Sequence, residues 1–183
     1  FATAAKAEGV KVYHLNIGQP DIITPKGFLK AIREYEGEIL EYALSEGLPE
    51  LIEAIRKYYN NYNLDFKNDE ILITNGGSEA LLFTMITICD EGDNILVPEP
   101  FYSNYFNFSK SVGVNINPIT TLAENGFHLP DKEEIISKIN DKTKAILFSN
   151  PGNPTGVVYT KEELEMIADI ALEYNLWIIA DEV

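Results

Sequence analysis

The segment Ser149-Asn150-Pro151-Gly152-Asn153-Pro154-Thr155-Gly156 strings two Asn-Pro pairs together with two glycines. An ordinary turn needs only one or two such residues, since each proline or glycine already fixes or frees the backbone where the chain reverses. Each proline also restricts the residue before it. A loop this constrained is rigid, and it can hold the Asn153 amide with donor and acceptor both facing a ligand. Further on, Asp181 follows the apolar run Leu176-Trp177-Ile178-Ile179-Ala180. A carboxylate at such a strand end can bond a protonated ring nitrogen and keep it protonated, because the charge-assisted pair favours both ions. It can equally cap a following helix. Glu182 reads as lying outside the site.

Two more segments carry ligand chemistry. Asn75-Gly76-Gly77-Ser78-Glu79-Ala80-Leu81 runs from a strand into a helix. Glycines let the backbone approach a ligand, the first N–H groups of the helix point outward, and the Ser78 hydroxyl adds a donor, which together suit a phosphate. The same residues also suit a plain strand-to-helix turn capped by Ser78. Neither a Gly-x-Gly-x-x-Gly fingerprint nor a Gly-Lys-Ser/Thr phosphate loop is present. In Pro98-Glu99-Pro100-Phe101-Tyr102-Ser103-Asn104-Tyr105, two prolines fix the backbone so that Tyr102 can stack on a planar heterocycle. Phe101, Tyr102 and Tyr105 read equally well as core aromatics.

The elements that would position these groups follow from periodicity. Residues 1 to about 23 form a mixed arm, with Gly18 in the loop Leu15-Asn16-Ile17-Gly18-Gln19-Pro20-Asp21. From Thr24, a cap before Pro25, the residues Phe28, Leu29 and Ile32 recur on one helical face. A second helix begins near Pro49, with Leu51, Ile52, Ile55 and Tyr59 as its stripe, and Tyr42-Ala43-Leu44-Ser45-Glu46-Gly47 is the loop between them. Short apolar runs then alternate with helical segments. The runs lie at 71–74, 95–97, 114–116, 145–148 and 176–180, and the helices near 78–89, 102–111, 131–139 and 161–174. Asp131 with Glu134 and Thr160 with Glu163 have capping-box spacing. Strands apolar on both faces and separated by helices predict an α/β fold, a three-layer αβα arrangement around a mainly parallel sheet. Ligands of such sheets bind beyond the carboxyl ends of the strands, which is where Gly77, Tyr102, Asn153 and Asp181 fall.

Composition excludes several classes. At 183 residues and 45% hydrophobic, the chain is globular and long enough for a real core. Lys and Arg number 14 against 29 Asp and Glu, a net charge of -15 that repels polyanions, so neither nucleic acid nor an anionic membrane is an expected partner. No run is apolar enough to span a membrane, and no secretory leader pattern stands at the start. A single cysteine, Cys89, rules out an internal disulfide and a thiolate metal cluster, and reads as a core residue late in an apolar helix. His14 and His128 stand alone, with no metal-ligand cluster. A cytoplasmic setting is expected.

With these residues in view, the segments Asn16 to Asp21, Tyr42 to Ala54, Gly76 to Leu81, Asn150 to Gly156 and Asp181 to Val183 resemble, in order and spacing, those of class I aminotransferases of fold type I. The resemblance covers nearly the whole chain and implies the N-terminal half of such an enzyme. It assigns residues 1–47 to the arm and part of a small domain and interface, and 48–183 to an incomplete large domain. It implies pyridoxal 5'-phosphate as cofactor. Gly76, Gly77 and Ser78 would then hold the phosphate, and Tyr102 would stack on the pyridine ring. Asn153 would bond the ring hydroxyl oxygen and the substrate carboxylate, and Asp181 the ring nitrogen. Tyr42 would reach the partner subunit's cofactor across a homodimer, and Gly18 would lie over the substrate. Many relatives carry tryptophan where Tyr102 stands.

The implied reaction moves an amino group between an α-amino acid and a 2-oxo acid of aspartate, aromatic or alanine type, with the cofactor as electron sink. The lysine that binds the cofactor covalently, and the arginines for phosphate and carboxylate, would lie beyond Val183. The 183-residue chain alone is therefore expected to be inactive. The family sheet has seven strands, of which five are read here, so the run at 71–74 would lack its neighbours. A carbon–sulfur lyase of the same fold is the nearest enzymatic alternative, although such relatives usually carry Asp-Glu-Ile-His where this chain has Asp181-Glu182-Val183. An aminotransferase-like domain of a cofactor-sensing transcription regulator is a third, disfavoured by the charge of -15.

Overall fold

Strand β1 (Asn94–Glu99) is buried along nearly its whole length, as is β3 (Thr143–Ser149), because both of their faces are covered. Their side chains alternate between two cores, as the two-residue period of a strand requires. Ile95, Val97, Ala145 and Leu147 point to one face, together with Leu81 and Met85 of helix α4 (Gly77–Ile88) and Tyr105 of α5 (Asn104–Ser111). Leu96, Ile146 and Phe148 point to the other, with Ile135 of α6 (Lys132–Ser137) and Ile167 and Ile170 of α7 (Lys161–Tyr174). Burying a side chain of this size contributes about 1.5–3 kcal/mol each, so the two cores hold the layers together. The three-layer αβα reading is thereby met.

The computed structural model describes residues 1–14, 18 and 22–182. Its sheet has four parallel strands in the order β2-β1-β3-β4, where β2 is Asn115–Thr120 and β4 is Trp177–Asp181. Helix α5 carries the chain from β1 to β2, and α7 carries it from β3 to β4. At the amino ends of the strands a polar knot locks β1 to β3. Thr143 Oγ1 donates to Asn94 Oδ1 at 2.9 Å, and Asn94 Nδ2 donates to Asn140 Oδ1 at 3.0 Å. Nearby Asp93, 2% exposed, faces Lys142 and Lys144 at 3.8 and 3.7 Å.

The chain divides into two compact units, Phe1–Tyr42 and Ala43–Val183. The first contains α1 (Ala2–Ala7), alanine-rich and so a strong helix former, and α2 (Lys26–Arg33). Thr24 does not cap α2. Pro25 takes the cap position itself, with its carbonyl accepting from the Phe28 and Leu29 N–H groups. Except for Gly18, the loop Leu15 to Asp21 lies outside the described residues.

In the second unit, α3 (Pro49–Asn60) starts with proline in its first turn and buries Ile52. The run at 71–74, apolar as a strand is, joins no ladder, as expected of a run that lacks its neighbours. Its Ile73 N–H donates instead to Glu46 O at 2.9 Å, and the Ile73 side chain lies against Gly47, which has φ +113°. An apolar run becomes a strand only where a partner strand accepts its hydrogen bonds, and none of the four described strands pairs with it. On the other side β4 is an edge strand, with Trp177 63% and Ile178 42% exposed.

The two capping boxes behave differently. Thr160 and Glu163 close theirs, with Glu163 N donating to Thr160 Oγ1 at 3.2 Å and Thr160 N to Glu163 Oε2 at 2.7 Å. Asp131 and Glu134 do not, because the Glu134 N–H is already taken by the Asp131 carbonyl at 3.1 Å. Cys89 sits just past the end of α4, partly buried against the core. His128 is not isolated, since its Nδ1 lies 2.9 Å from Glu163 Oε2.

Candidate functional site

Strand order reverses between β1 and β3: the chain leaves β1 toward one edge of the sheet and leaves β3 toward the other. Crossover helices then lie on opposite faces, and their separation opens a crevice at the carboxyl ends of the two strands. Here that crevice is lined by Pro100, Phe101, Tyr105, Ser149, Asn153 and neighbouring residues.

The loop after β3 is braced from within. Gly152 N donates to Val157 O and Gly156 N to Gly152 O, both at 2.7 Å. A Cβ at Gly152 would meet Val157 Cγ1 at 2.7 Å and Thr155 Oγ1 at 2.8 Å, so this close approach requires glycine. The two asparagines of the Asn-Pro pairs have separate tasks. Asn150 is committed to the scaffold, because its N–H donates to Asp181 O at 3.1 Å and its Oδ1 accepts from Tyr159 N at 3.1 Å. Asn153 is exposed on the crevice wall.

Asp181 closes β4 directly opposite Ser149 in the ladder. Its Oδ2 accepts a 2.5 Å hydrogen bond from the Tyr105 hydroxyl, across 76 residues of sequence. Burial, and then the neighbouring Asp181 carboxylate, hold the Tyr105 hydroxyl well above the usual tyrosine range, so it remains a donor at any working pH. Tyr105 also carries Tyr102, whose ring stands edge-on to it at 5.6 Å and 86°. The Tyr102 hydroxyl accepts from Asn104 Nδ2 at 2.7 Å. Tyr105 is 1% exposed and Tyr102 only partly buried, so of the pair Tyr102 is the one accessible to a ligand.

At α4 the helix cap is Gly76, with φ +84°, and Ser78 makes no capping bond, contrary to the plain-turn reading. The first intrahelical bond runs from Ala80 N to Gly76 O at 3.4 Å, leaving the N–H groups of Gly77, Ser78 and Glu79 ahead of it. A Cβ at Gly76 or Gly77 would meet nothing within 4 Å, so the space over these amides is open. Glu79 reaches back so that its Oε2 accepts from Asn75 N at 2.6 Å. Leu81, one turn further on, shares its core with Tyr105 and Ile179, which anchors this helix start beside the other groups. Gly18 and Tyr42 belong to the other unit, and both are exposed, Tyr42 fully.

A family model described as Aminotransferase class I and II matches residues 10–183. The chain belongs to this family. It is 42% identical, over 93% of its length and 45% of the relative's, to a protein from Methanocaldococcus jannaschii named "Probable aspartate aminotransferase". Its fold is similar to that of a Thermus thermophilus aspartate aminotransferase mutant, with a TM-score of 0.92 and 34% identity over all of this chain and 48% of that one. It is also similar to an alanine aminotransferase from Pyrococcus furiosus, with a TM-score of 0.87 and 38% identity over 98% and 47% of the two chains. The chain thus spans about half the length of the relatives it matches.

In this member of the class I and II aminotransferases, Lys142, Lys144 and Lys161 all lie away from the crevice lining. Lys142 and Lys144 flank Asp93 at the opposite, amino ends of the strands, and Lys161 faces Glu165 at 3.3 Å on α7. Sequence reasoning treated Tyr105 only as a core aromatic. One signal pointed further: Tyr105 follows Tyr102 by three residues, a spacing that puts both on one face of a helix read from 102, although the observed α5 starts at Asn104. Among the described residues no cluster of His, Cys, Asp and Glu suits a metal, and no helix is long and apolar enough to cross a membrane.

Proposed function

We propose that this chain is part of a pyridoxal 5'-phosphate-dependent aminotransferase that moves an amino group between an α-amino acid and a 2-oxo acid. The observation that carries this reading is Asp181, a carboxylate at the sheet's carboxyl edge whose Oδ2 is fixed by Tyr105, in a ladder beside the Asn153 loop. The donor set fits the cofactor: outward amides over open space at Gly77 and Ser78, a partly exposed Tyr102 ring, the Asn153 amide, and an anchored carboxylate. A phosphate, an aromatic face, a ring hydroxyl and a ring nitrogen require these four kinds of group.

When bound, pyridoxal 5'-phosphate supplies an electron sink for the charge left as a substrate's α proton departs. The chain's own residues make that sink effective. Asp181 holds a proton on the ring nitrogen through its carboxylate, which strengthens electron withdrawal. The amides of Gly77 and Ser78, with the Gly76 turn, bind the phosphate and fix the ring's position. Tyr102 covers one ring face and excludes water from it, and Asn153 orients the ring hydroxyl and the substrate carboxylate. Residues 1–47 form the arm and interface and 48–183 the cofactor domain, with Gly18 over the substrate. Tyr42 reaches the cofactor of the partner subunit in a homodimer. The covalent lysine lies outside these 183 residues, and the setting is cytoplasmic.

The test is to assay the full-length protein, loaded with pyridoxal 5'-phosphate, for amino transfer to 2-oxoglutarate from aspartate, alanine and aromatic amino acids. Aspartate is the expected first donor, since similar proteins bear that name. Asp181→Asn should lower kcat/KM about 100-fold or more, the scale for losing a charged group aimed at the reacting system. Failure to retain the cofactor, or release of a thiol from a sulfur amino acid as the dominant reaction, would overturn the proposal.

A further inference from the structure

The Tyr105 hydroxyl is buried in a core of Leu81, Met85, Val97 and Leu147, where phenylalanine would fill the same space. A hydroxyl placed there costs stability unless it is bonded, and its partner is the Asp181 carboxylate at 2.5 Å. The ring is held from two sides, by Phe101 stacked at 6.2 Å and 20° and by Tyr102 edge-on at 5.6 Å. Its backbone N–H is fixed as well, donating to Tyr102 O at 3.0 Å. One immobile side chain therefore touches both the residue assigned to the ring face and the residue assigned to the ring nitrogen.

We infer that Tyr105 is a positioning residue, which fixes the orientation of Asp181 and the seat of Tyr102 and acts on the cofactor only through them. The inference rests on the functional reading above. A donor on Oδ2 stabilises the ionised carboxylate, restrains its rotation and leaves Oδ1 for a second donor such as a ring N–H. Without that donor, the proton shared between Oδ1 and the ring nitrogen shifts toward the carboxylate, and the carboxylate gains freedom to rotate. A role in packing alone predicts neither change, because phenylalanine preserves the packing.

The experiment compares wild type with Tyr105→Phe in the full-length protein loaded with pyridoxal 5'-phosphate carrying a ¹⁵N-labelled ring. The ¹⁵N resonance is expected to move toward the unprotonated position, cofactor affinity to fall about 10-fold, and kcat to fall with KM nearly unchanged, as for a charge-assisted bond felt at the ring. A wild-type resonance and affinity in a folded Tyr105→Phe protein would overturn the inference. Should that variant fail to fold, ring-fluorinated tyrosines placed at 105 keep the shape while making the hydroxyl more acidic. The resonance should then move progressively toward the protonated position, and an unmoved resonance overturns the inference. Failure of wild type to bind the cofactor would instead remove the functional reading, and this inference with it.

Discussion

His128 Nδ1 lies 2.9 Å from Glu163 Oε2, and the same carboxylate accepts from the backbone N–H groups of Leu129 and Thr160, each at 2.7 Å. One side chain, 14% exposed, thus joins the loop before α6 to the start of α7. Burial raises the Glu163 pKa, but the N–H donors of Thr160 and Leu129 and the His128 ring together outweigh it, so the carboxyl titrates below its ordinary range. A depressed folded-state pKa contributes stability above the unfolded value, about 4.3, that is lost as pH falls through the folded value. Glu163→Gln should therefore cost about 1–3 kcal/mol at neutral pH, and the gap from wild type should shrink below pH ~4. Urea unfolding as a function of pH measures it, and a gap that stays constant into acid would contradict the assignment.

The two caps give a paired prediction. Thr160 bonds the Glu163 N–H through its side chain, whereas Asp131 makes no capping bond despite the same sequence spacing. Thr160→Ala should destabilise by about 1 kcal/mol, and Asp131→Ala by a few tenths at most. Equal losses in thermal unfolding would count against these local geometries.

Two glycines should fail for different reasons. Alanine at Gly152 would collide with Val157 and Thr155, forcing the Asn153 loop to move, so cofactor affinity should fall together with stability. Alanine at Gly76 has open space but a φ of +84°, so its cost is backbone strain of about 1–2 kcal/mol. Cofactor titration alongside unfolding separates the two. Gly152→Ala should lower affinity well beyond what its unfolded fraction explains.

Cys89 should be slow toward thiol reagents. Burial in the first place, helped by nearby Asp93, pushes its thiol up to about 11. The thiolate is the reactive form, and little of it exists at neutral pH. Reaction with a disulfide reagent at pH 8 should lag a model thiol by at least about 10-fold, and unfolding in urea should remove the lag.

Much of the fold was legible because its signals are local. Apolar runs at 95–97, 145–148 and 176–180 sit inside the observed strands or within a residue of their ends, and the helix read at 161–174 has those bounds. Periodicity and side-chain choice act over a few residues, so they survive without knowledge of neighbours. The run at 71–74 marks where this stops. Its composition is that of a strand, but pairing depends on which segment lies alongside, and here that is Glu46 and Gly47.

The candidate site divides in the same way. By itself the sequence determined that a proline-rich loop with Asn153, a strand-end Asp181 and Tyr102 fall at carboxyl ends of strands, and that a glycine-led helix start follows an apolar run, because each is written in contiguous residues. Only the tertiary structure decided the strand order β2-β1-β3-β4 and hence the crevice between β1 and β3. It also decided that Asn150 braces the loop while Asn153 faces out, and that Tyr105 bonds a carboxylate 76 residues away. Those outcomes are hydrogen bonds between segments that the sheet brings side by side. No local pattern encodes such partners, since any buried donor must find an acceptor but nothing nearby in the chain says which one.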